Sequence, residues 1–215
     1  FKKIDNLLEF ISKFSGYILS VGDTKDFELF YKLVDEKEVE ILKNGGVILY
    51  PTDTIWGIGC DATQKQAIQK VIDIKGRTGE KHFILLCKDV EMISQYVETI
   101  PQKALDLIKE TTSPLTIIYP KAKNLPIEML SNDGTIGIRI PNHHYCQEIL
   151  KKLNRPLVST SANISGEPSP KGFSEISNII KEKADFISPQ EFQAKSTQAS
   201  SIVKIFENGE VLKIR

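Results

Sequence analysis

The sequence predicts an α/β (α+β) protein with a mixed sheet. From Val47 onward, short apolar runs of strand length alternate with segments of helical period. Glycine and proline punctuate the joins, and an Asn208-Gly209 dipeptide near the end signals a hairpin.

Taken in order, Ile4, Leu7, Leu8, Ile11 and Phe14 recur at helical spacing, so Phe1 to Phe14 reads as an amphipathic helix. Tyr17 to Val21 reads as a short strand closed by Gly22-Asp23. Phe27, Phe30, Leu33 and Val34 start a second helix that runs toward Leu42. Asn44-Gly45-Gly46 stops it, because glycine takes the left-handed cap without strain. Val47 to Tyr50 is then a buried strand ending at Pro51. Ala67, Ile68, Val71, Ile72 and Ile74 mark a helix, and Phe83 to Cys87 a strand. Pro101 through Glu110 is a helix with proline at its start. Leu115 to Tyr119 and Thr135 to Ile140 are strands, and Tyr145 to Leu153 a helix. Pro156 to Val158 is a short strand entering a polar loop, and Phe173 to Lys183 is helical. Ser201 to Phe206 and Val211 to Arg215 form the closing hairpin, and Gln193 to Ser201 is the candidate mobile loop.

At 215 residues the chain holds between one and two domains of roughly 150 residues. The division expected is a helical extension over residues 1–35 and one domain over 36–215. Apolar residues make up 40% and charged residues 26%, which excludes a disordered or fibrous chain. Lys+Arg and Asp+Glu both number 28, which excludes a globally basic nucleic-acid coat but not a local basic cleft. No apolar run approaches the ~18 residues of a membrane span, and no secretory leader pattern opens the chain. The three cysteines, Cys60, Cys87 and Cys146, are odd in number and widely spaced. They read as reduced thiols of a cytoplasmic protein rather than a disulfide framework or zinc knuckle.

Three segments put polar residues directly after an apolar element. Tyr50-Pro51-Thr52-Asp53-Thr54-Ile55-Trp56-Gly57-Ile58-Gly59 is either a small-molecule pocket or a plain turn before a helix. Lys75-Gly76-Arg77-Thr78-Gly79-Glu80-Lys81 has the composition of a phosphate cradle. It lacks the GxxxxGK[ST] spacing, and cations at a helix end complement the dipole equally well. Val158 to Pro170 offers hydroxyls and an amide to a nucleotide or an amino acid, or forms a solvated cap cluster. Arg139 lies inside an apolar strand, where a cation needs an anionic partner unless it faces solvent. His82 stands alone, and the adjacent His143 and His144 do not share a helix face, so no protein-built metal site is expected. Nor does any histidine suggest a catalytic triad.

Together, Gly-Gly-Val-Ile-Leu-Tyr-Pro-Thr-Asp-Thr-Ile-Trp-Gly-Ile-Gly, Lys75-Gly-Arg77, Ile-Arg139-Ile-Pro and Ser161-Ala-Asn163-Ile-Ser-Gly-Glu-Pro-Ser-Pro resemble the YrdC-like threonylcarbamoyl-AMP synthases, short single-domain type. The resemblance runs from about Glu36 to the C-terminus. It implies a twisted mixed sheet with a concave, positively charged cleft. It implies an enzyme, a nucleotidyltransferase, that joins L-threonine, bicarbonate and ATP into L-threonylcarbamoyladenylate and pyrophosphate. Separate transfer machinery then modifies adenosine 37 of tRNA. The family's K-x-R and S-x-N pairs fall on Lys75, Arg77, Ser161 and Asn163, implied to surround the triphosphate and carbamate. Further ATP contacts fall on Lys81, Thr135 and Ser169, and threonine contacts on Thr54, Arg139, Ser159 and Ser200. Mg²⁺ is implied to arrive with ATP.

The chain departs from the family at Thr78, where proline is frequent, at Ser113, where glycine is usual, and around Lys195 to Ser200, where glycines are missing. Those departures bear on the roles of Ser200 and Lys213. Other readings are an RNA-binding module for tRNA or double-stranded RNA, a related carbamoyl-adenylate-forming domain, and a diverged nucleotide binder without turnover. Neutral charge and the lack of aromatics beside Lys75 and Arg77 count against RNA binding. The apolar face of the first helix suits a partner or a homodimer.

Overall fold

A computed structural model describes residues 36–76, 83–189 and 198–215 of the chain. The expected elements of the first thirty-five residues, most of the Gln193 to Ser201 loop, and Arg77, Thr78, Lys81 and His82 lie outside the described residues. Lys37–Arg215 forms one compact unit.

Residues 36–43 are helical and end at Gly45, whose φ of 76° only glycine adopts freely. The strands follow as β1 (Ile48–Tyr50), β2 (Gly57–Gly59), β3 (Ile84–Leu86), β4 (Leu115–Tyr119), β5 (Ile136–Arg139), β6 (Leu157–Ser161), β7 (Phe186–Ile187), β8 (Ser201–Ile205) and β9 (Val211–Lys213). The helices are α1 (Lys65–Ile74), α2 (Val90–Tyr96), α3 (Gln102–Glu110), α4 (His144–Leu153) and α5 (Asn178–Lys183).

The nine strands form one sheet in the order β7-β1-β2-β6-β3-β5-β4-β8-β9. The pairs β1–β7, β3–β5 and β4–β8 are parallel and the other neighbours antiparallel, so the sheet is mixed. Strand alternation sorts the faces. Ile117 and Tyr119 of β4 and Ile136 and Ile138 of β5 join the core with α1 and α2, which contribute Ala67, Ile68, Val71, Met92 and Ile93. Thr116 and Ile118, with Gly137 and Arg139, point to the other face and line a cavity.

Several elements differ from the sequence expectation. The helix α2 was not expected; Asp89 caps it by accepting the Met92 N–H at 2.7 Å. The strand β2 replaces the helix start considered after Pro51, because its two glycines let the backbone press on β6. A Cβ on Gly59 would lie 1.8 Å from the Val158 carbonyl oxygen. The strand β6 is longer than expected and includes Ser159, Thr160 and Ser161. Their backbones are paired on both sides, Ser159 opposite Ile84 and Ser161 opposite Gly57, so polarity did not end the strand. Phe173 to Lys183 is not one helix. A 3₁₀ turn, Phe173–Glu175, gives way at the extended, buried Ile176 before α5 begins.

Buried polar groups tie the elements together. Asp61 is fully buried and accepts from Thr63 N, Thr63 Oγ1, Gln64 Nε2 and Arg155 at 2.7–3.0 Å. Glu38 accepts from Ser188 Oγ at 2.8 Å and from the Tyr145 hydroxyl, holding the 36–43 helix to α4. All three cysteines are free and buried, and burial pushes each thiol well up. Among the described residues, no helix is long and apolar enough to cross a membrane.

Replacing Asp61 by alanine removes the shared acceptor of four donors. Asp61→Ala is expected to lower the unfolding free energy by about 2–4 kcal/mol, read as a reduced urea midpoint.

Candidate functional site

The cavity on the exposed face of the sheet has a volume of about 460 Å³. That lies within the few hundred to roughly 1,000 Å³ common for ligand sites. It gathers residues from two of the three segments singled out in the sequence, together with Arg139. Thr52 and Thr54 come from the β1–β2 turn, Arg139 from β5, Ser159 and Ser161 from β6, Ser169 from the following loop and Ser200 from the residue before β8. Five of the expected contacts besides Arg139 therefore share its wall: Thr54, Ser159, Ser161, Ser169 and Ser200.

Arg139 is 4% exposed in an interior strand, which rules out the solvent-facing alternative. Its Nη1 donates to Thr54 Oγ1 at 2.9 Å and lies 3.4 Å from Asp53 Oδ1. Its Nε is buried without a hydrogen-bond partner. The turn that meets it is ordered by hydroxyls. Thr52 Oγ1 accepts the Thr54 N–H at 3.0 Å and donates to the Ile55 carbonyl at 2.8 Å. Since that spends the only Thr52 proton, Thr54 Oγ1 donates to Thr52 Oγ1 across 2.8 Å. Thr54 Oγ1 thus accepts a hydrogen bond from the guanidinium and donates one into the turn. The segment is a turn that leads into β2 rather than a helix, and Thr52 and Thr54 in it line the cavity.

Other wall residues were not picked out by sequence. Trp56 is buried against Phe173, with ring centroids 5.0 Å apart. Thr116 Oγ1 and Ser200 Oγ share a hydrogen bond of 2.7 Å. Arg215 donates from Nε and Nη2 to the Ser200 carbonyl at 3.0 and 2.9 Å. Arg139 and Arg215 are the charged side chains among the described lining residues, and both are cations. A cation paired only through folding to Ser200 carries no local spacing signal.

Lys75, Asn163 and Thr135 do not line the cavity. Lys75 is 1% exposed, and its ammonium donates to the carbonyls of Ser161 and Asn163, the latter at 2.7 Å. Its own carbonyl accepts the Ser165 N–H at 2.9 Å. The Asn163 amide donates to the Ile164 and Glu167 carbonyls at 2.9 and 2.7 Å, which closes the loop at Gly166. Thr135 Oγ1 donates to Asp133 Oδ1 at 2.6 Å. Lys204 from β8 reaches the other oxygen of Asp133 at 2.6 Å. Lys213 is exposed on β9 and is not among the lining residues. Arg77 and Lys81 lie outside the described residues. Among the described residues, no group of three or more His, Cys, Asp or Glu is placed to hold a metal ion.

The fold and the motifs have counterparts. The Sua5/YciO/YrdC family model, described as telomere recombination, matches residues 40–215. A threonylcarbamoyl-AMP synthase of Pseudoalteromonas translucida (strain TAC 125) is 33% identical over 178 residues, 81% of this chain and 94% of that protein. One from Coxiella burnetii (strain RSA 493 / Nine Mile phase I) is 33% identical over 150 residues, 69% of this chain and 81% of that protein. Among solved structures, E. coli YciO superposes with a TM-score of 0.70 at 26% identity, covering 86% of this chain and 89% of its own. P. abyssi Sua5 complexed with L-threonine superposes with a TM-score of 0.73 at 23% identity, covering 84% of this chain and 53% of its own. The latter similarity shows the fold.

Asp133 at the rim predicts a pH effect. Hydrogen bonds from Lys204, then Thr135, pull its carboxyl down to about 2. A depressed carboxyl contributes stability above its unfolded value, near 4, and loses it as pH falls toward about 2. Asp133→Asn is therefore expected to melt slightly lower than the parent at pH 6, with the gap closing between about pH 4 and pH 2. Solvent screening of this exposed pair keeps the gap under about 1 kcal/mol, measurable by thermal melts across that range.

Proposed function

The chain belongs to the Sua5/YciO/YrdC family, and on that premise we propose that it is an L-threonylcarbamoyladenylate synthase. It is an enzyme of the nucleotidyltransferase type that uses L-threonine and ATP. The observation that carries this reading is Arg139, a buried guanidinium on a cavity wall with an unspent Nε donor. The substrate carboxylate is the anion that such a group accepts. Thr54, Ser159 and Ser200 supply hydroxyls around it for the amino-acid hydroxyl and nitrogen. The 33% identity to proteins of that activity, over most of both chains, supports the same reading.

In the proposed reaction the threonine amine, having lost its ammonium proton, adds to the carbon of bicarbonate and water leaves. The resulting carbamate oxygen attacks the α-phosphorus of ATP, and pyrophosphate departs with the electron pair of the broken P–O bond. Two anions must approach each other, so positioning and cationic compensation supply most of the acceleration. In this reading Ser161 and Ser169, which line the cavity, contact the nucleotide, and Arg77 and Lys81 supply the phosphate cations. Lys75, Asn163 and Thr135 act on the nucleotide side by shaping the 161–167 loop and the 131–135 turn, on the hydrogen bonds they make. In this reading Mg²⁺ enters as the ATP complex, held by phosphate oxygens and water. The adenylate is then handed to a separate transfer machinery that modifies tRNA.

The test is pyrophosphate release from Mg·ATP with and without L-threonine and bicarbonate. Release is expected to need both co-substrates. Arg139→Gln is expected to raise the KM for threonine at least about tenfold, the scale of one lost charge-assisted hydrogen bond. Release that ignores threonine, alongside salt-steep tRNA binding, would overturn the reading in favour of an RNA-binding module.

A further inference from the structure

The Asp53 carboxylate has no part in the site as drawn so far, and its surroundings are unusual. Its side chain is 3% exposed. Its Oδ2 accepts the Asn142 N–H at 3.1 Å, which fixes it to the chain leaving β5. Its Oδ1 faces Arg139 Nη1 at 3.4 Å, too loosely aligned to count as a hydrogen bond, and is buried without another partner. Asp53 does not line the first cavity. It lines a second one of about 480 Å³, while Arg139 lines the first. The ion pair therefore stands between the two, with the anion behind the cation.

We propose that Asp53 is the positioning residue for Arg139 in threonine recognition, an inference that rests on the synthase reading. Thr54 and Asp53 together occupy the Nη1 end of the guanidinium and leave its Nε unspent. A planar fork grips a carboxylate well only when its plane is held. A single hydroxyl at Nη1 fixes a point, and a second group on the same nitrogen fixes the orientation. Asp53 also supplies the counter-charge that allows Arg139 to stay buried before any substrate arrives. An incoming carboxylate at the Nε edge is separated from Asp53 by the guanidinium itself. The orientation gained then outweighs the repulsion between the two anions.

Asp53→Asn keeps the shape and an acceptor for Asn142, so it removes charge with little change in packing. Calorimetric titration of the full chain with L-threonine, without ATP, reads the effect independently of turnover. The variant is expected to bind L-threonine about tenfold more weakly, while L-threonine amide, which lacks the carboxylate, binds parent and variant alike. In pyrophosphate release the KM for threonine rises by the same factor, and the KM for ATP stays within about twofold. In an Arg139→Gln background the Asp53→Asn change has no further effect on threonine binding, which a merely structural role would not predict. Unchanged or tighter threonine binding by Asp53→Asn overturns the proposal, as does an equal rise in both KM values. If the parent binds threonine yet releases no pyrophosphate, the synthase reading fails, and the binding ratio alone still decides the role of Asp53.

Discussion

A cation buried in the middle of a sheet is the constraint from which the site follows. Arg139 sits at the end of β5, between β3 and β4, where water does not compensate its charge. Desolvating a guanidinium costs several kcal/mol unless hydrogen bonds and a counter-charge replace the water. The replacements come from the β1–β2 turn, which must fold across the strand end to deliver Thr54 and Asp53. The shape of that turn is then set by its own chain of hydroxyl bonds through Thr52 to the Ile55 carbonyl. Removing the cation would take away the partner that Thr54 and Asp53 share.

A second buried cation organises the opposite side. Lys75 follows α1, and its ammonium donates to the main-chain carbonyls of Ser161, which ends β6, and Asn163. Its neighbour loop is further stitched to the first turn by the Ala162 N–H to Trp56 carbonyl bond at 3.1 Å. The four sequence segments that looked like separate signals are thus mechanically one object. Arg139 holds one pair of them and Lys75 another, and β2 joins the pairs by running between β1 and β6. This arrangement gathers hydroxyls and a buried guanidinium on one cavity wall, which suits the proposed joining of an amino acid to ATP.

Much of this was legible from residue order. The apolar run of β1, the periodic face of α1, the proline before α3 and the Asn-Gly hairpin all rest on local rules, and each forms at its place. Thr54, Ser159, Ser161, Ser169, Ser200 and Arg139 were readable as site residues through motif order, and the fold brings them to one cavity. Less legible were elements whose stability is borrowed. The strand β2 has two glycines in three residues and exists because β1 and β6 pair with it. The polar end of β6 and the two-residue β7 are strands for the same reason. Lys75 reads as a phosphate ligand in sequence, and in the fold its ammonium donates to carbonyls eighty-six and eighty-eight residues away, which no local spacing signals.

By itself the sequence determined the class of fold, the family and the chemical identity of the groups available for the reaction. Those depend on periodicity, turn chemistry and motif order, which are local or linear properties of the chain. Only the tertiary structure decided that Arg139 is buried rather than solvent-facing, that Asp53 stands behind it, and that Arg215 joins the wall beside Ser200. Each of those depends on which strands lie side by side in the sheet. Strand order brings together residues far apart in the chain, and desolvation then fixes which of their polar groups must pair.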